Sequence, residues 1–556
     1  MRLAGLSLAS AVVLPGRFAA GAPDIGRCGG PADPGASGRL RGITVDVARL
    51  PEQLSYYRRL IDFAREWGLN ALLFRLTDDQ GSALRFRSHP ELLTHRHALT
   101  PGEARELAAY GEQRGVMVIP EVESFGHTRY ITSVPRHAHL EDARDGDRFT
   151  GLCPVAPETL ALISDLYREV AAIFSAPYLH GGCDEVNWGG SALSRRALQT
   201  RSRAQIWAEY VNALNEVCRR LGKELIIWGD AALHRDADIL PRLDKRVIVM
   251  DWQYQVLDPR PLARVARHVV ADGRRVLGAP ALVSCAWGPR PGERQLRNIE
   301  AFVDAYAGIS DPRCLGIVVT NWVPTRYVQG SLWDSFAYAG VALARGSEAA
   351  RHSGFRTFVE RFYGADWNST WQAIFETSYR IAPSRRSCAP SWPGDRLIVP
   401  WANEQDLVRA IRGASSVPSP YAALRAGAGA VESGVRRRHD DFSAFTLSLD
   451  YFDHVFWRQA VLGAAATAAG RPSVPMVVEN VAARDRRLAE RLDLDWATGR
   501  FSDAPGRLDA LPGLEPADQL HYTMRHAAAF SAELAGDARR LQRLADTARP
   551  GAGPTR

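Results

Sequence analysis

The stretch YLHGGCDE, residues 178–185, places a short apolar run before two glycines, a cysteine and two adjacent carboxylates. Acidic residues directly after a strand are typical of the rim of a parallel β-barrel, where the strand ends carry the functional groups. Neighbouring side chains in a regular strand point to opposite faces. We expect Gly181 and Gly182 to bend the backbone enough for Asp184 and Glu185 to reach one cavity side by side.

From residue 43 to 345 the chain alternates between such strand-like runs and helical segments. Helical patterns cover 51–67, 103–114, 157–174, 203–221 and 293–306. With 178–181, the other strand-like runs are 43–47, 71–76, 116–122, 225–228, 247–250, 275–282 and 315–320. About eight repeats in this length predict an α/β fold, a (β/α)8 TIM barrel. An open doubly wound sheet is the alternative, but the Gly-rich phosphate turn expected after its first strand is missing.

Polar residues gather just after the predicted strands, as the active rim of a barrel requires. The set consists of Asp46, Arg49, Arg75, Asp78, Asp79, Glu121, Glu123, His127, Asp184, Glu185, Asp230 and Asp251. Four indoles end later strands: Trp228, Trp252, Trp287 and Trp322. One tryptophan alone is more often a core residue. Four on a polar rim indicate an aromatic cup for a saccharide, since sugar rings stack on flat apolar surfaces.

Glycosidic cleavage needs an acid for the leaving oxygen and stabilisation of positive charge at the anomeric carbon. Two adjacent carboxylates do not easily flank one bond. They suit a sugar that brings its own nucleophile, because a 2-acetamido carbonyl can attack the anomeric carbon while one carboxylate holds the amide N–H. The Asp184-Glu185 pair therefore favours a 2-acetamido sugar as substrate.

Four motifs make the sequence similar to glycoside hydrolase family 20, the β-N-acetylhexosaminidases, over roughly residues 40–345. His-x-Gly-x-Asp-Glu is met at residues 180–185, and Leu-Thr-Asp-Asp-Gln-Gly at 76–81. Pro-Glu followed by Gly-His is met at 120–121 and 126–127, and Asp-x-x-Arg at 46–49. In detail, Ser124 to His127, Cys183 and Thr320 to Tyr327 look more like the hexosaminidase D branch.

The resemblance implies a role for each matching residue. Glu185 would be the general acid and then the base that activates water, and Asp184 would orient the acetamido group. Asp78 and His127 would form a relay that holds Glu185. Substrate-binding candidates are Arg49 for sugar hydroxyls, Trp228, Trp252 and Trp322 for the pocket walls, and the motif or strand-end residues Glu121, His180 and Asp230. The resemblance implies no cofactor and no metal.

Several residues depart from the family pattern. Phe74-Arg75 stands where many members have Trp-His, and Ser82 where they have Trp. Val323-Pro324 follows Trp322 where a Glu often binds distal hydroxyls, and no tyrosine counterpart is evident near Cys285-Ala286-Trp287. The choice between GlcNAc and GalNAc therefore stays open.

Three rival interpretations remain. A metal-dependent hydrolase could use His127, His180, Asp184 and Glu121, although metal-site histidine spacing is absent. A saccharide-binding barrel could have lost catalysis. A two-carboxylate glycosidase could pair Glu185 with Glu121 or Glu123.

The composition describes a globular protein with a charge of +7, but only two of its 69 basic residues are lysines, and the arginines are scattered. We therefore expect no nucleic-acid partner. Seven cysteines without C-x-x-C spacing argue against structural zinc, while one or two disulfides stay open. No run outside the N-terminus approaches a membrane span. The expected partner is a glycan with terminal N-acetylhexosamine, and the oligomeric state is not predicted.

The predicted organisation has five parts. Residues 1–22 read as an export signal, basic then apolar then small, which predicts a periplasmic or secreted protein; a leader of another kind would leave it cytoplasmic. Residues 23–39 form a linker, 40–348 the barrel, 349–548 a helical C-terminal domain and 549–556 a tail.

Overall fold

The computed structural model describes residues 39–143, 151–283, 291–380, 421–467, 473–501 and 520–547, together with residues 404, 408 and 419. Its centre is a closed barrel of eight parallel strands, in which the last strand pairs with the first. In chain order the strands are β1 Leu40–Val45, β2 Ala71–Arg75, β3 Met117–Glu121, β4 Tyr178–His180, β5 Glu224–Trp228, β6 Ile248–Trp252, β7 Val276–Ala279 and β8 Cys314–Asn321. The predicted TIM barrel is confirmed, and each strand lies within a few residues of its predicted run.

Residues of alternate parity along the strands fill two separate apolar layers. On β5, Ile226 and Trp228 pack inside the barrel, whereas Leu225 and Ile227 pack outward against the helices. β6 repeats this with Ile248 and Met250 inside. Both faces of every strand are thus buried, which explains why the strands read as continuous apolar runs.

Seven α-helices surround the strands: α1 Leu54–Glu66, α2 Pro101–Gln113, α3 Pro157–Ile173, α4 Arg203–Arg220, α5 Pro259–Ala271, α6 Glu293–Ala307 and α7 Trp333–Arg345. The fifth crossover departs from the strand-and-helix repeat. There, in the fully described segment 229–247, β5 leads into a π-helical turn, Ala231–Arg235, and a 3-10 turn, Leu240–Arg242.

Additional short elements project from the rim that follows β2, β3 and β4. After β2, the segments Thr77–Asp78, Gly81–Leu84 and Thr94–Leu99 form a small three-stranded sheet. Short helices at Arg129–Thr132 and Ala192–Ala197, with a 3-10 turn at Ala138–Leu140, follow β3 and β4. These elements build up one side of the barrel mouth.

Helices continue beyond the barrel, as predicted for the C-terminal region. They are α8 Ser347–Phe358, α9 Ser369–Arg380, α10 Ala422–Val431, α11 His439–Thr467, α12 Ser473–Gly499, α13 Leu520–Ala535 and α14 Ala538–Thr547. Their apolar side chains join the core that packs outside the strands; Phe358, Phe362, Trp371 and Phe442 belong to the same cluster as Phe63 on α1. The exact domain boundaries stay predictions, and the leader 1–22, the residues up to 38 and the tail 549–556 lie outside the described residues.

Cys153, Cys183, Cys218 and Cys314 are buried free thiols. The helices that the structure describes include none with both the length and the apolar character needed to cross a bilayer.

The seam between β1 and β8 gives a test of barrel closure. Gly316 has φ +128°, and a Cβ there would overlap the backbone carbonyl of Leu40. We expect Gly316→Ala to lower the free energy of unfolding by about 2–4 kcal/mol, from overpacking and backbone strain together. Gly115→Ala is the matched control, because Gly115 has φ +66° but open space around its Cβ position. It should cost about 1–2 kcal/mol. Urea unfolding of both variants measures the difference, and equal losses would contradict this account of the seam.

Candidate active site

The two adjacent carboxylates occupy a tight turn at the end of β4. Gly182 has φ +66°, and a Cβ there would overlap the Glu123 carboxylate. Cys183 and Glu185 also have positive φ, 73° and 47°, which is uncommon for residues with side chains. Strained backbone of this kind clusters at functional sites, where the surroundings hold it in place. The turn breaks the strand's alternation and delivers both acids to one side.

His127 joins the two carboxylates. Its Nε2 lies 3.3 Å from Glu185 Oε2 and 3.6 Å from Asp184 Oδ2. His127 also has positive φ, 50°, and follows Gly126, where a Cβ would overlap the backbone carbonyl of Asp184. The close approach of two backbones therefore explains the Gly-His motif.

The other ring nitrogen of His127 identifies a residue that the sequence analysis did not assign. Nδ1 lies 3.1 Å from Asp79 Oδ2 and 3.8 Å from Asp78 Oδ2. The hydrogen-bonded partner in the relay is therefore Asp79, not Asp78 as expected. The adjacent Asp78 and Asp79 in the sequence indicated a carboxylate partner for His127. The motif alone could not show which of the two faces the imidazole.

The neighbouring charges shift the pKa values of His127 and Glu185 in opposite directions. Burial alone would lower the pKa of His127, but Asp184 and the hydrogen bonds to Asp79 and Glu185 raise it well above its ordinary value. Burial alone would raise the pKa of Glu185, but the hydrogen bond and charge of His127 bring it below its ordinary value. The surrounding charges thus favour a protonated imidazole next to an ionised Glu185.

Arg75 is a buried cation beneath the site, 1% exposed in its side chain. It pairs with Glu123 at 2.6 Å, Asp78 at 2.7 Å and Glu121 at 3.1 Å. Burial alone would lower the pKa of Arg75, but these carboxylates raise it well above its ordinary value. Burial in turn raises the pKa of Glu121 to about 7. One arginine thus compensates three acids at the barrel mouth.

Asp78 lies between two arginines and has only the longer, 3.8 Å contact with the imidazole. Its Oδ2 pairs with Arg75 and, at 3.0 Å, with Arg49, which also binds Asp46 at 3.0 Å. Burial would raise the pKa of Asp78, but Arg49 and Arg75 lower it. Arg49 keeps 15% of its side chain exposed, so it still faces the mouth.

Glu121 and His180 were predicted to contact substrate, but the structure buries both completely. Glu121 accepts a 2.8 Å hydrogen bond from Trp228 Nε1, and His180 Nδ1 accepts one of 3.0 Å from the Gly182 N–H. Burial lowers the pKa of His180 to about 3, which keeps it neutral. Both residues therefore support the floor of the site from below. Direct contact of Glu121 and His180 with substrate stays a prediction, since both side chains are buried in this arrangement.

Asp230, at the end of β5, supports the catalytic turn. Its Oδ2 accepts a 3.2 Å hydrogen bond from the Glu185 N–H and lies 3.4 Å from Arg235 Nε. Burial, followed by the charge of Asp184, raises the pKa of Asp230 to about 6. It lies close enough to fix the backbone of Glu185.

Three of the four predicted indoles meet at the mouth. The Trp228 and Trp322 rings lie 5.7 Å apart edge to face, and Trp252 lies 5.0 Å from Tyr254. Tyr254 was not predicted; its hydroxyl accepts a 2.8 Å hydrogen bond from Trp322 Nε1. Trp228 is only 1% exposed, so it forms the floor, while Trp252 is half-buried. Trp287 lies outside the described residues.

The geometry also bears on the rival interpretations. His127, Asp184 and Glu185 each offer a ligand atom within 4.8 Å of the others, so these three could hold a cation. The rival set with His180 and Glu121 is not assembled, because those two lie beneath the floor. Glu121 and Glu123 are fully buried against Arg75, so neither faces Glu185 across an open cleft.

Comparison with known proteins supports the resemblance read from the motifs. A family model described as "glycosyl hydrolase family 20, catalytic domain" matches residues 39–281. The chain is 26% identical over 344 residues to hexosaminidase D of Bos taurus, covering 58% of this chain and 97% of that protein. It is 28% identical over 249 residues to a beta-hexosaminidase of Vibrio furnissii, covering 38% of this chain and 40% of that protein.

A solved structure, the GH20 exo beta-N-acetylglucosaminidase of Vibrio harveyi in complex with N-acetylglucosamine, has a TM-score of 0.46 and 23% identity over 55% of this chain and 54% of its own. The resemblance read from the motifs is confirmed for residues 39–281. The matched segment ends before β8.

The charge pairing around His127 can be tested by titration. We expect Asp184→Asn to lower the pKa of His127, because Asp184 raises it. A raised histidine pKa stabilises the folded state fully below about pH 6.5, and this contribution is lost as the pH rises through the folded-state value. The variant should lose part of it. NMR of selectively labelled imidazole nitrogens measures the shift, with Asp258→Asn, which removes the exposed partner of Arg260, as control. An unchanged His127 titration in Asp184→Asn would contradict the pairing.

Proposed function

We propose that this protein, whose residues 39–281 carry a glycosyl hydrolase family 20 catalytic domain, removes terminal β-linked N-acetylhexosamine, GlcNAc or GalNAc, by substrate-assisted retaining hydrolysis. One observation carries the proposal: Asp184 and Glu185 approach the same nitrogen of His127, so both acids act on one side of a bound sugar. Such a pair does not flank a bond, and the nucleophile must come from the substrate.

Asp184 is suited to hold the acetamido group. Its Oδ1 is buried and finds no hydrogen-bond partner among the described residues. A buried acceptor without a donor is costly, and an amide N–H of the substrate would satisfy it. The negative charge would also polarise the amide, so that its carbonyl oxygen attacks the anomeric carbon and forms an oxazolinium ion.

Glu185 is suited to proton transfer, since 33% of its side chain is exposed to the mouth. In the free protein the charges around it favour an ionised Glu185 beside a protonated His127. A bound sugar would expel water from this contact and favour the neutral pair, with the proton on Glu185 Oε2. Glu185 then protonates the leaving glycosidic oxygen as the carbon–oxygen bond breaks. It next takes a proton from the water that opens the oxazolinium ring, which restores the acid and releases the sugar.

Arg49, Trp252, Trp322 and Tyr254 line the mouth and supply the remaining contacts. Arg49 lies with its guanidinium 5.6 Å from the Trp322 ring centre, which places a cation beside a flat apolar wall. Such a combination suits a sugar with hydroxyls on its edge and C–H groups on its face. Val323 follows Trp322 at a point where family members often have a glutamate that binds distal hydroxyls. Selection between GlcNAc and GalNAc would therefore depend on Arg49.

We also propose export, on the order of basic, apolar and small residues in 1–22. Immunoblotting of cell fractions, with N-terminal sequencing of the mature protein, tests it. Retention of residues 1–22 would contradict it.

Hydrolysis by variants tests the mechanism. The wild type should release aryl alcohol from aryl β-GlcNAc or β-GalNAc and leave aryl β-glucoside nearly untouched. Glu185→Gln should lose about 10²–10⁴-fold in rate through the missing acid, and Asp184→Asn about 10²–10³-fold through the missing charge. Activity should survive chelator, which the metal-dependent rival does not allow. Saccharide binding without turnover would instead favour the non-catalytic alternative, and equal cleavage of the glucoside the two-carboxylate one.

The proton shared by His127 and Glu185 predicts a pH effect. In the wild type, kcat/KM should hold on the basic side until the pair loses its last proton, well above the ordinary carboxyl pKa, because His127 has a raised pKa. In His127→Gln the proton is lost at the pKa of Glu185 itself. The basic limb of the kcat/KM profile should therefore move to lower pH. A profile with an unmoved basic limb would contradict the shared proton.

A further inference from the structure

Arg500, just past the end of α12 in the C-terminal helical region, is buried against loops of the barrel. Its Nη1 donates to the carbonyl of Tyr327 and its Nη2 to the carbonyl of Pro324, both at 2.9 Å. Its Nε lies 3.1 Å from Glu52 Oε1. All three guanidinium nitrogens of Arg500 thus bind residues of the barrel loops.

The residues bound by Arg500 belong to two loops of the catalytic rim. Glu52 follows β1 in the loop that carries Asp46 and Arg49, and Pro324 and Tyr327 follow β8 directly after Trp322. Gln329 Nε2 extends the junction, donating to Glu52 Oε2 at 2.6 Å and to the Gly499 carbonyl at 3.0 Å. The tip of α12 therefore ties the first and last loops of the barrel together.

The loop after β8 needs such support. Val323 has φ +57°, a backbone conformation that a β-branched residue rarely adopts. Its N–H donates to Asp46 Oδ2 at 2.9 Å, and the carbonyls that follow are those held by Arg500. A strained residue persists only where its surroundings over-determine it. Trp322, the residue before Val323, lies beside Arg75 and Arg49, whose guanidinium groups are 5.2 and 5.6 Å from its ring centre.

The helical region contacts the same loop a second time. Trp333 Nε1, at the start of α7, donates to Asp441 Oδ1 on α11 at 3.0 Å. A Cβ on Gly330 would press against Ala444 of the same helix. The loop that carries Trp322 is thus packed between the barrel and two helices from outside it.

We propose that Arg500 is a positioning residue, through which the C-terminal helical region holds Trp322 in place as a wall of the sugar pocket. The inference rests on the proposed function for the role of Trp322. It assigns the helical region a part in substrate binding, although no residue of that region need touch the sugar.

The test compares two buried arginines of the same region. Arg458 is also 1% exposed, and its hydrogen bonds to Asp485 and Ser531 stay within the helices. Arg500→Gln and Arg458→Gln should both lower the thermal unfolding midpoint. Only Arg500→Gln should raise KM for the preferred aryl N-acetylhexosaminide, about tenfold, with a smaller change in kcat. Arg500→Lys should raise KM less than Arg500→Gln does, because lysine keeps the positive charge.

Hydrogen exchange provides a readout that needs no turnover. Peptides covering 322–332 should exchange faster in Arg500→Gln than in the wild type, and at the wild-type rate in Arg458→Gln. Equal KM and equal exchange in the two glutamine variants would overturn the proposal. If the wild type hydrolyses none of the substrates, the proposed function fails. Faster exchange confined to Arg500→Gln would then still support its hold on the loop, and equal exchange would overturn that as well.

Discussion

The site depends on one imidazole that is close to several acids. His127 faces Glu185 and Asp184 with one nitrogen and Asp79 with the other, in a barrel mouth that also buries Glu121, Glu123 and Asp78. Carboxylates brought this close repel one another unless cations compensate them. Arg75 and Arg49 compensate the charges of Glu121, Glu123 and Asp78. His127 can therefore pair with the two acids that face the mouth, Asp184 and Glu185. Loss of either compensation would disturb the charge state of Glu185.

Backbone geometry makes this arrangement possible. Three residues with side chains at positive φ, His127, Cys183 and Glu185, meet where the loops after β3 and β4 cross. Gly126 and Gly182 give these backbones room to approach. The framing glycines are therefore required by the adjacent carboxylates: without them the strand would send Asp184 and Glu185 to opposite faces.

Much of this could be predicted from the sequence. The strand-and-helix alternation indicated the barrel, and the motifs at 76–81, 126–127 and 180–185 indicated which rim residues would meet. The choice between Asp78 and Asp79 could not be made, because it depends on which carboxylate the turn after β2 aims at the imidazole. The burial of Glu121 and His180 was missed because motif membership does not distinguish a residue that contacts substrate from one that supports it.

Contacts between distant segments were also beyond the sequence. Arg500 lies 448 positions from Glu52, and no local pattern links them. Tyr254 was missed for the same reason. It lies two residues past β6, and only the closed barrel brings its hydroxyl to Trp322.

In the proposed mechanism the substrate's own acetamido oxygen is the nucleophile. Its most direct test is calorimetric binding of a stable bicyclic thiazoline made from N-acetylglucosamine or N-acetylgalactosamine, whose fused ring resembles the oxazolinium ion. If the acetamido oxygen is the nucleophile, the thiazoline should bind at least about 100-fold more tightly than the parent sugar, as other mimics of high-energy states do. Asp184→Asn should remove most of this difference in affinity. Equal affinity for the thiazoline and the parent sugar would contradict the account.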